Sequence, residues 1–132
     1  MANIPSDLSY TDDHEWVRSV AGGRLRVGIT DHAQKQLGDI VYVELPKKGD
    51  VFEQGRPFGS VESVKSVSEL YLPLGGTVSA VNEELNDSPE QINDDPYGDG
   101  WMIEITPAAG ADLTDLLTAD RYAALLKEGT SD

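Results

Sequence analysis

Short runs of β-branched and apolar residues, separated by Gly, Pro and Asp, recur along most of the chain. The first two runs, HEWVRSV and RLRVGI, lie on either side of Gly22-Gly23 and predict a β-hairpin that begins near His14. The residues before it, 1–9, are mostly polar and are expected to be mobile. The core positions predicted in this hairpin are Trp16, Leu25, Val27 and Ile29.

Further runs extend this pattern through the middle of the chain. IVYVEL and VFEQG are joined by the turn PKKGD, and TVSAVN and WMIEI flank a long acidic loop with room for one or two short helical turns. Residues 58–76, FGSVESVKSVSELYLPLGG, predict two strands joined at Ser63-Val64-Lys65-Ser66. A type I turn favours serine at its first position. The pattern therefore places one amine, that of Lys65, at a hairpin tip.

Helical signals are confined to two places. Thr30 or Asp31 can cap a short helix that ends near Leu37, because either side chain can accept a first-turn N–H. In the tail, 111–128, the apolar spacing changes to that of a helix, and Thr118 can cap the second of two helices. The tail residues at this spacing are Leu113, Leu116 and Leu117, then Tyr122, Leu125 and Leu126.

Many short strands followed by terminal helices indicate an α+β domain, mainly β, whose centre is a compact sandwich or flattened barrel. The 132 residues suffice for one domain with a substantial core. No apolar run reaches the roughly 18 residues of a membrane helix, and no secretion signal is recognisable. We therefore expect one soluble domain over residues 1–132.

Composition narrows the partners and the compartment. Without cysteine the chain can form neither disulfides nor thiolate sites, which fits a reducing cytoplasm. With 24 acidic and 10 basic residues, its net charge of −14 disfavours nucleic acid and anionic membranes as partners. Protein partners are expected to offer positive surface, although the simpler interpretation of this charge is solubility.

No metal site is predicted from the residue pattern. His14 and His32 lie on different predicted elements, and without cysteine a zinc site would need carboxylates from elsewhere. The segment from Asn93 follows part of the calcium-loop template, but Tyr97 occupies a ligand position. The match is therefore interpreted as accidental.

Lys65 is the one residue whose surroundings suggest chemistry. A lysine at a surface hairpin is by default a solvated charge. An exposed amine on a tight turn between small residues is also what a modifying enzyme needs in order to attach an acyl group. A Schiff-base lysine would instead need surroundings that favour the neutral amine, whereas Glu62 and Glu69 favour the protonated one. The residues alone thus indicate a small acidic β-rich domain with one presented lysine.

Several separated motifs resemble the H-protein family of the glycine cleavage system. In chain order they are HEWV, VGITDHAQKQLGDIVYVELP, GSVESVKSVSELY, DSPEQINDDPYGDGW and the leucine-rich tail, from about Tyr10 to Leu126. Ser66 departs from the alanine that is frequent after the family's lysine. The resemblance implies the barrel-sandwich hybrid fold of lipoyl and biotinyl domains.

The resemblance also implies a cofactor and partners: lipoate attached through an amide at Lys65. In the family, the arm receives an aminomethyl group at the pyridoxal-phosphate glycine decarboxylase (P protein). It passes this group to the aminomethyltransferase (T protein) and is reoxidised by dihydrolipoamide dehydrogenase (L protein). The chain would thus be a monomeric, non-catalytic carrier that also meets lipoyl-attaching enzymes. The alternative is a lipoate-distribution or regulatory module of the same fold.

Family members fold the loaded arm into a cleft that shelters its cargo from water. Glu15 and Glu69 occupy the matching positions and are predicted to hold the cationic amine as a pair. The alternative is two exposed carboxylates with no such role. His32 and Glu62 are the remaining candidates for residues of the arm cleft.

Overall fold

The computed structural model describes residues 4–108 and 116–129. In them the strands are β1 (Ser9–Tyr10), β2 (Glu15–Val20), β3 (Arg24–Ile29), β4 (Ile40–Glu44), β5 (Val51–Phe52), β6 (Pro57–Ser63), β7 (Val67–Tyr71), β8 (Gly76–Val81) and β9 (Ile103–Pro107). The helices are α1 (Asp31–Leu37), α2 (Glu84–Asp87), α3 (Gln91–Asp94) and α4 (Ala119–Gly129), with a 3-10 turn at Ala21–Gly23. No helix in this part of the chain has the length and hydrophobicity needed to cross a membrane.

The strands form two antiparallel sheets that share one apolar core. The larger sheet has the order β1-β2-β3-β9-β8-β5 and the smaller one β4-β6-β7. Val27 and Ile105 of the first sheet and Val43 and Val61 of the second belong to the same buried cluster. The expected architecture, mainly β with short helices, is thereby confirmed.

The predictions for the first hairpin and for the helix that follows it are confirmed. Strands β2 and β3 pair from Glu15 opposite Ile29 to Val20 opposite Arg24. The core residues predicted for this hairpin are all buried. Of the two proposed caps for α1 it is Thr30 that acts, since its hydroxyl accepts the Ala33 N–H at 3.2 Å.

A second cluster, rich in aromatic side chains, fixes α4 against the larger sheet. The rings of Tyr10 and Tyr122 stack with centroids 4.7 Å apart. Trp16, fully buried, donates its indole N–H to the Pro96 carbonyl at 2.8 Å. The predicted cap of α4 is also confirmed, because Thr118 Oγ1 accepts the Arg121 N–H at 3.2 Å.

Both chain ends differ from expectation. Regular structure begins before His14, since Leu8 is buried and Ser9–Tyr10 pairs with β2 as β1. The helix expected to include Leu117 is wrong at that residue, because Leu117 forms a bridge with Tyr10, with both N–H groups donating across it. Residues 1–3 and 109–115, including Leu113, lie outside the described residues. Burial of Leu8 and Tyr10 explains why the polar composition of residues 1–9 misled the prediction at the N-terminal end.

Gly59 provides a test of how tightly the smaller sheet is packed. A Cβ at this position would collide with the Glu44 carbonyl oxygen of β4. Gly59→Ala is therefore expected to lower the free energy of unfolding by about 1–3 kcal/mol, because β4 and β6 must move apart. Urea denaturation measures this. Ser60→Ala, at the half-buried neighbouring position, is the control and should change stability by less than about 0.5 kcal/mol. Equal stability of the two variants would contradict this packing.

Candidate functional site

The turn at the tip of the β6–β7 hairpin is built around one serine hydroxyl. Ser63 is buried, and its Oγ accepts the N–H groups of Lys65 at 3.3 Å and Ser66 at 3.1 Å. The same hydroxyl lies 3.2 Å from the Ser66 carbonyl, to which it can donate, and the Ser63 N–H donates there at 2.8 Å. The turn is thus closed by a side chain, and Lys65 is exposed on a fixed backbone.

A second set of bonds ties this tip to the segment after α1. The Val64 N–H donates to the Asp39 carbonyl at 3.0 Å. Asn93 of α3 holds that segment from behind: its Oδ1 accepts the Ile40 N–H at 2.8 Å and its Nδ2 donates to the Gly38 carbonyl at 2.9 Å. No local pattern connects Asn93 with the tip, because neither the partial calcium-loop match nor the motif DSPEQINDDPYGDGW that contains it indicates such a contact.

A cleft of about 460 Å³ lies beside this hairpin, between α1, β7, α4 and the segment before β2. Its apolar lining includes Ile29, Leu37, Val61 and Leu70, with Leu125 and Leu126 contributed by α4. Its polar lining includes Asp12, Asp13, His14, His32, Gln36, Ser68 and Glu69. Lys65 is not among the lining residues, but Ser68 and Val61 lie on the two strands that lead to its turn.

Two histidines stand together at this cleft. The rings of His14 and His32 are 4.8 Å apart, and His14 Nδ1 lies 2.9 Å from the hydroxyl of Tyr122 on α4. That hydroxyl is also 2.7 Å from Thr30 Oγ1, the cap of α1. Burial and the nearby His32 lower the pKa of His14, against the opposing effect of Asp13. The His14 imidazole therefore joins α4 to the residue that precedes β2.

The predicted acidic residues are placed differently from one another. Glu69 is exposed and lines the cleft, and its Oε2 accepts from the Tyr71 hydroxyl at 3.3 Å. Glu62 is exposed too but lies outside the lining, opposite Val67 in the β6–β7 register. His32 and Glu69 are thus brought to one cleft, and Glu62 is not.

Glu15 corrects the predicted pair of facing carboxylates. Its side chain is only 2% exposed and does not line the cleft. Oε2 accepts the Tyr71 N–H at 2.7 Å, while Oε1 has no hydrogen-bond partner among the described residues. Burial raises the pKa of Glu15 to about 8. Glu15 thus binds the outer edge of β7 from inside the protein, and its carboxyl group is protonated and uncharged at pH 7. It is not an exposed anion.

Sequence reasoning also missed the acids that do line the cleft. Asp12 and Asp13 are both exposed, and both line the cleft beside His14. Their position directly before the motif HEWV was the one feature of the sequence that could have indicated a place near the cleft. Their contribution to the cleft depends on how the segment before β2 folds against α4, which adjacency in sequence does not reveal.

Two antiparallel sheets around one core, with a lysine presented on a protruding hairpin, define the barrel-sandwich class to which lipoyl and biotinyl domains belong. A crystal structure of a glycine cleavage system H protein from Mycobacterium marinum has this fold. It superposes with a TM-score of 0.85 at 42% identity and covers 96% of this chain and 100% of that one.

The sequence comparisons identify the family. The model of the glycine cleavage H-protein family matches residues 8–129. The glycine cleavage system H protein of Salinibacter ruber is 60% identical over 121 residues, which are 92% of this chain and 97% of that protein. That of Geobacillus thermodenitrificans is 55% identical over 127 residues, 96% and 99% of the two chains. The chain belongs to the glycine cleavage H-protein family.

The buried acid gives a pH test. The ordinary pKa of this carboxyl group is about 4.5, and in the folded protein it is about 8. Between these two pH values the folded state keeps the Glu15 proton that the unfolded chain loses. Folded proteins that bind more protons lose stability as pH rises, so this residue lowers stability across that window. Glu15→Gln keeps an acceptor for Tyr71 and should gain on the order of 2 kcal/mol relative to the original protein between pH 5 and pH 9.

Urea denaturation at pH 5, 7 and 9 measures this gain. Glu53→Gln, which alters a carboxylate with an exposed side chain, is the control and should follow the original protein, because that side chain is in water before and after unfolding. A constant difference between Glu15→Gln and the original protein across the range would show that Glu15 is ionised in the folded state.

Proposed function

We propose that the chain is the lipoyl-bearing carrier of a glycine cleavage system, with lipoate attached through an amide to Nζ of Lys65. The observation that carries the proposal is the tip geometry in a member of this family. An exposed lysine stands on a turn whose backbone is fixed by Ser63 and by the bond from Val64 to Asp39. An acylating enzyme can reach such an amine without unfolding anything.

The residues around the tip suit the group that the family name implies. When bound, a lipoyl group supplies a disulfide that is opened reductively as an aminomethyl group is accepted and is reoxidised later. The chain's own contribution is reach and shelter. The nearby cleft has a volume in the range of small-molecule sites, about 300–1,000 Å³, and combines apolar walls with a few polar groups. Such a lining accommodates a hydrocarbon arm with a charged end.

Glu69 is the residue we assign to the cationic end of the cargo. Of the two predicted acids it alone faces the cleft, and the Tyr71 hydroxyl orients its carboxylate. Asp12 and Asp13 add negative charge to the lining of the same cleft. Glu15 supports this arrangement indirectly, because it holds the Tyr71 backbone from inside the protein.

In this role the chain is a non-catalytic substrate of other enzymes. Its partners are the P, T and L proteins and the enzymes that attach lipoate, and it acts as a monomer. The lack of cysteine fits a reducing compartment such as the cytoplasm. Distribution of lipoyl groups to other acceptors is the alternative, which reconstitution distinguishes.

Lys65→Arg is the decisive variant, since it keeps the positive charge but offers no amine that can be acylated. After incubation with a lipoate ligase, the original protein should gain the mass of one lipoyl group, mapped to Lys65, and the variant none. In a mixture with P, T and L proteins the variant should fold normally and support no glycine cleavage. Lys48→Arg, at an exposed lysine in the β4–β5 turn, is the control. Modification elsewhere, or turnover by Lys65→Arg, would overturn the proposal. Lipoylation without any glycine cleavage would favour the distribution module.

Glu69→Ala tests the sheltering role. An exposed ion pair contributes at most about 1 kcal/mol, so removing the carboxylate should shorten the half-life of the aminomethyl cargo by up to roughly fivefold. The half-life is measured by release of formaldehyde from the loaded, isolated protein. Glu53→Ala removes an exposed carboxylate outside the cleft and should leave the half-life unchanged. An unchanged half-life in Glu69→Ala would remove Glu69 from the site.

A further inference from the structure

The outer side of the lysine hairpin carries an unusual amount of exposed apolar surface. Val41 and Tyr42 of β4 are 49% and 57% exposed, and Val64 and Val67 beside the lysine are 69% and 64% exposed. We call these four residues the tip face. Of the large exposed apolar side chains in the described part of the chain, only Val51, on β5 of the other sheet, lies elsewhere.

The strand register makes these residues neighbours. Tyr42 lies opposite Glu62, and Glu62 lies opposite Val67, so the three form one row across the smaller sheet. With strands about 4.8 Å apart, the two apolar side chains flank the carboxylate on the same side of the sheet. An irregularity between Ile40 and Tyr42 leaves both Val41 and Tyr42 exposed at this edge.

The fourth member of the face is joined to the others through the tip itself. The Val64 N–H donates to the Asp39 carbonyl, which brings the turn against the residues that enter β4. Lys65 follows Val64 directly and is exposed. The tip face therefore borders the one amine that the proposed function requires to be modified.

The chemistry at that amine selects the partner. A lipoyl adenylate transfers its acyl group when Nζ, having lost a proton, attacks the acyl carbon. The amide C–N bond forms, the bond between the acyl carbon and the phosphate oxygen breaks, AMP leaves, and the nitrogen gives up its second proton to solvent. The enzyme that holds the adenylate must bring it within bonding distance of Nζ, so its surface must cover the tip. Partners that act on the lipoyl ring bind it at a distance from Nζ of Lys65 that equals the length of the lipoyl chain. They therefore need no contact with the tip face.

We propose that the tip face is the docking surface for the lipoyl-attaching enzyme, with Tyr42 and Val67 as its main contacts. The inference rests on the proposed function. The exposed acids Asp39, Glu44 and Glu62 lie in or beside the face, and Glu62 lies between Tyr42 and Val67. The matching surface therefore combines apolar contacts with basic groups, one of them near its centre. Complementary charge speeds association, which makes the encounter sensitive to salt.

The double variant Tyr42→Thr/Val67→Thr tests this surface, because threonine keeps β-propensity and removes most apolar contact area. The apo protein is incubated with a purified lipoate ligase, lipoate and ATP, and lipoylation of Lys65 is followed by mass. We expect kcat/KM to fall roughly tenfold through a higher KM, the usual effect of removing central contacts, with kcat little changed. Val51→Thr, at an equally exposed valine of the other sheet, should behave as the original protein.

A second variant and a binding measurement guard against an indirect effect. Glu62→Lys reverses the charge at the centre of the row and should raise KM as well. Calorimetric titration of each apo variant into ligase saturated with a stable lipoyl-adenylate analogue should show the same loss of affinity. Urea midpoints equal to that of the original protein establish that the variants are folded.

The outcomes separate the two proposals. If the original protein is not lipoylated on Lys65, the proposed function fails whatever the variants do. If it is lipoylated, and the double variant and Glu62→Lys keep its KM and affinity, the docking inference fails and the carrier function stands. Sedimentation showing a dimer of the original protein that the variants dissociate would assign the face to a second copy and overturn the inference. Variants that are lipoylated normally but are reoxidised poorly by the L protein would also overturn the inference.

Discussion

The exposed lysine stands in a defined place because the backbone around it is hydrogen-bonded both within its own turn and to the segment after α1. Asn93 fixes the segment Gly38–Ile40, and the Asp39 carbonyl in that segment receives the Val64 N–H of the turn. Pairing with β4 and burial of Val61 and Leu70 hold the body of the hairpin, and these bonds hold its tip. The site therefore depends on a short helix, α3, that contributes no residue to the tip.

The edge of β7 poses a related physical problem. Edge strands present unpaired N–H and C=O groups, which invite association with other chains. Here the Tyr71 N–H is taken by Glu15 from inside the protein, and the segment from Ser68 to Leu70 borders the cleft instead of open solvent. Burying a carboxyl group for this purpose is unfavourable while it is ionised, which is why its pKa rises and the neutral acid predominates.

Features set by neighbouring residues could be predicted from the sequence, and features set by distant contacts could not. The first hairpin, the cap at Thr30 and the turn at Lys65 follow from local pattern and turn chemistry, and the resemblance supplied the family. The burial of Glu15 depends on its hydrogen bond with Tyr71, 56 positions away. The position of α4 depends on the contact between His14 and Tyr122, which are 108 positions apart. Periodicity carries no information on pairs so far apart in the sequence. The resemblance therefore predicts an accessible Glu15, whereas packing buries it.

Under the proposed function the hairpin has to satisfy two opposed requirements, and its two sides divide them. A modified lysine must be reachable by an enzyme, which demands an exposed tip, whereas a labile cargo must be kept from water, which demands a cleft. The cleft borders β7 and α4, while the apolar row formed by Tyr42 and Val67 lies on the exposed side of the smaller sheet. An exposed apolar surface favours self-association. The net charge of −14 opposes it by mutual repulsion. Strong acidity thus counteracts self-association through the apolar surface beside the lysine.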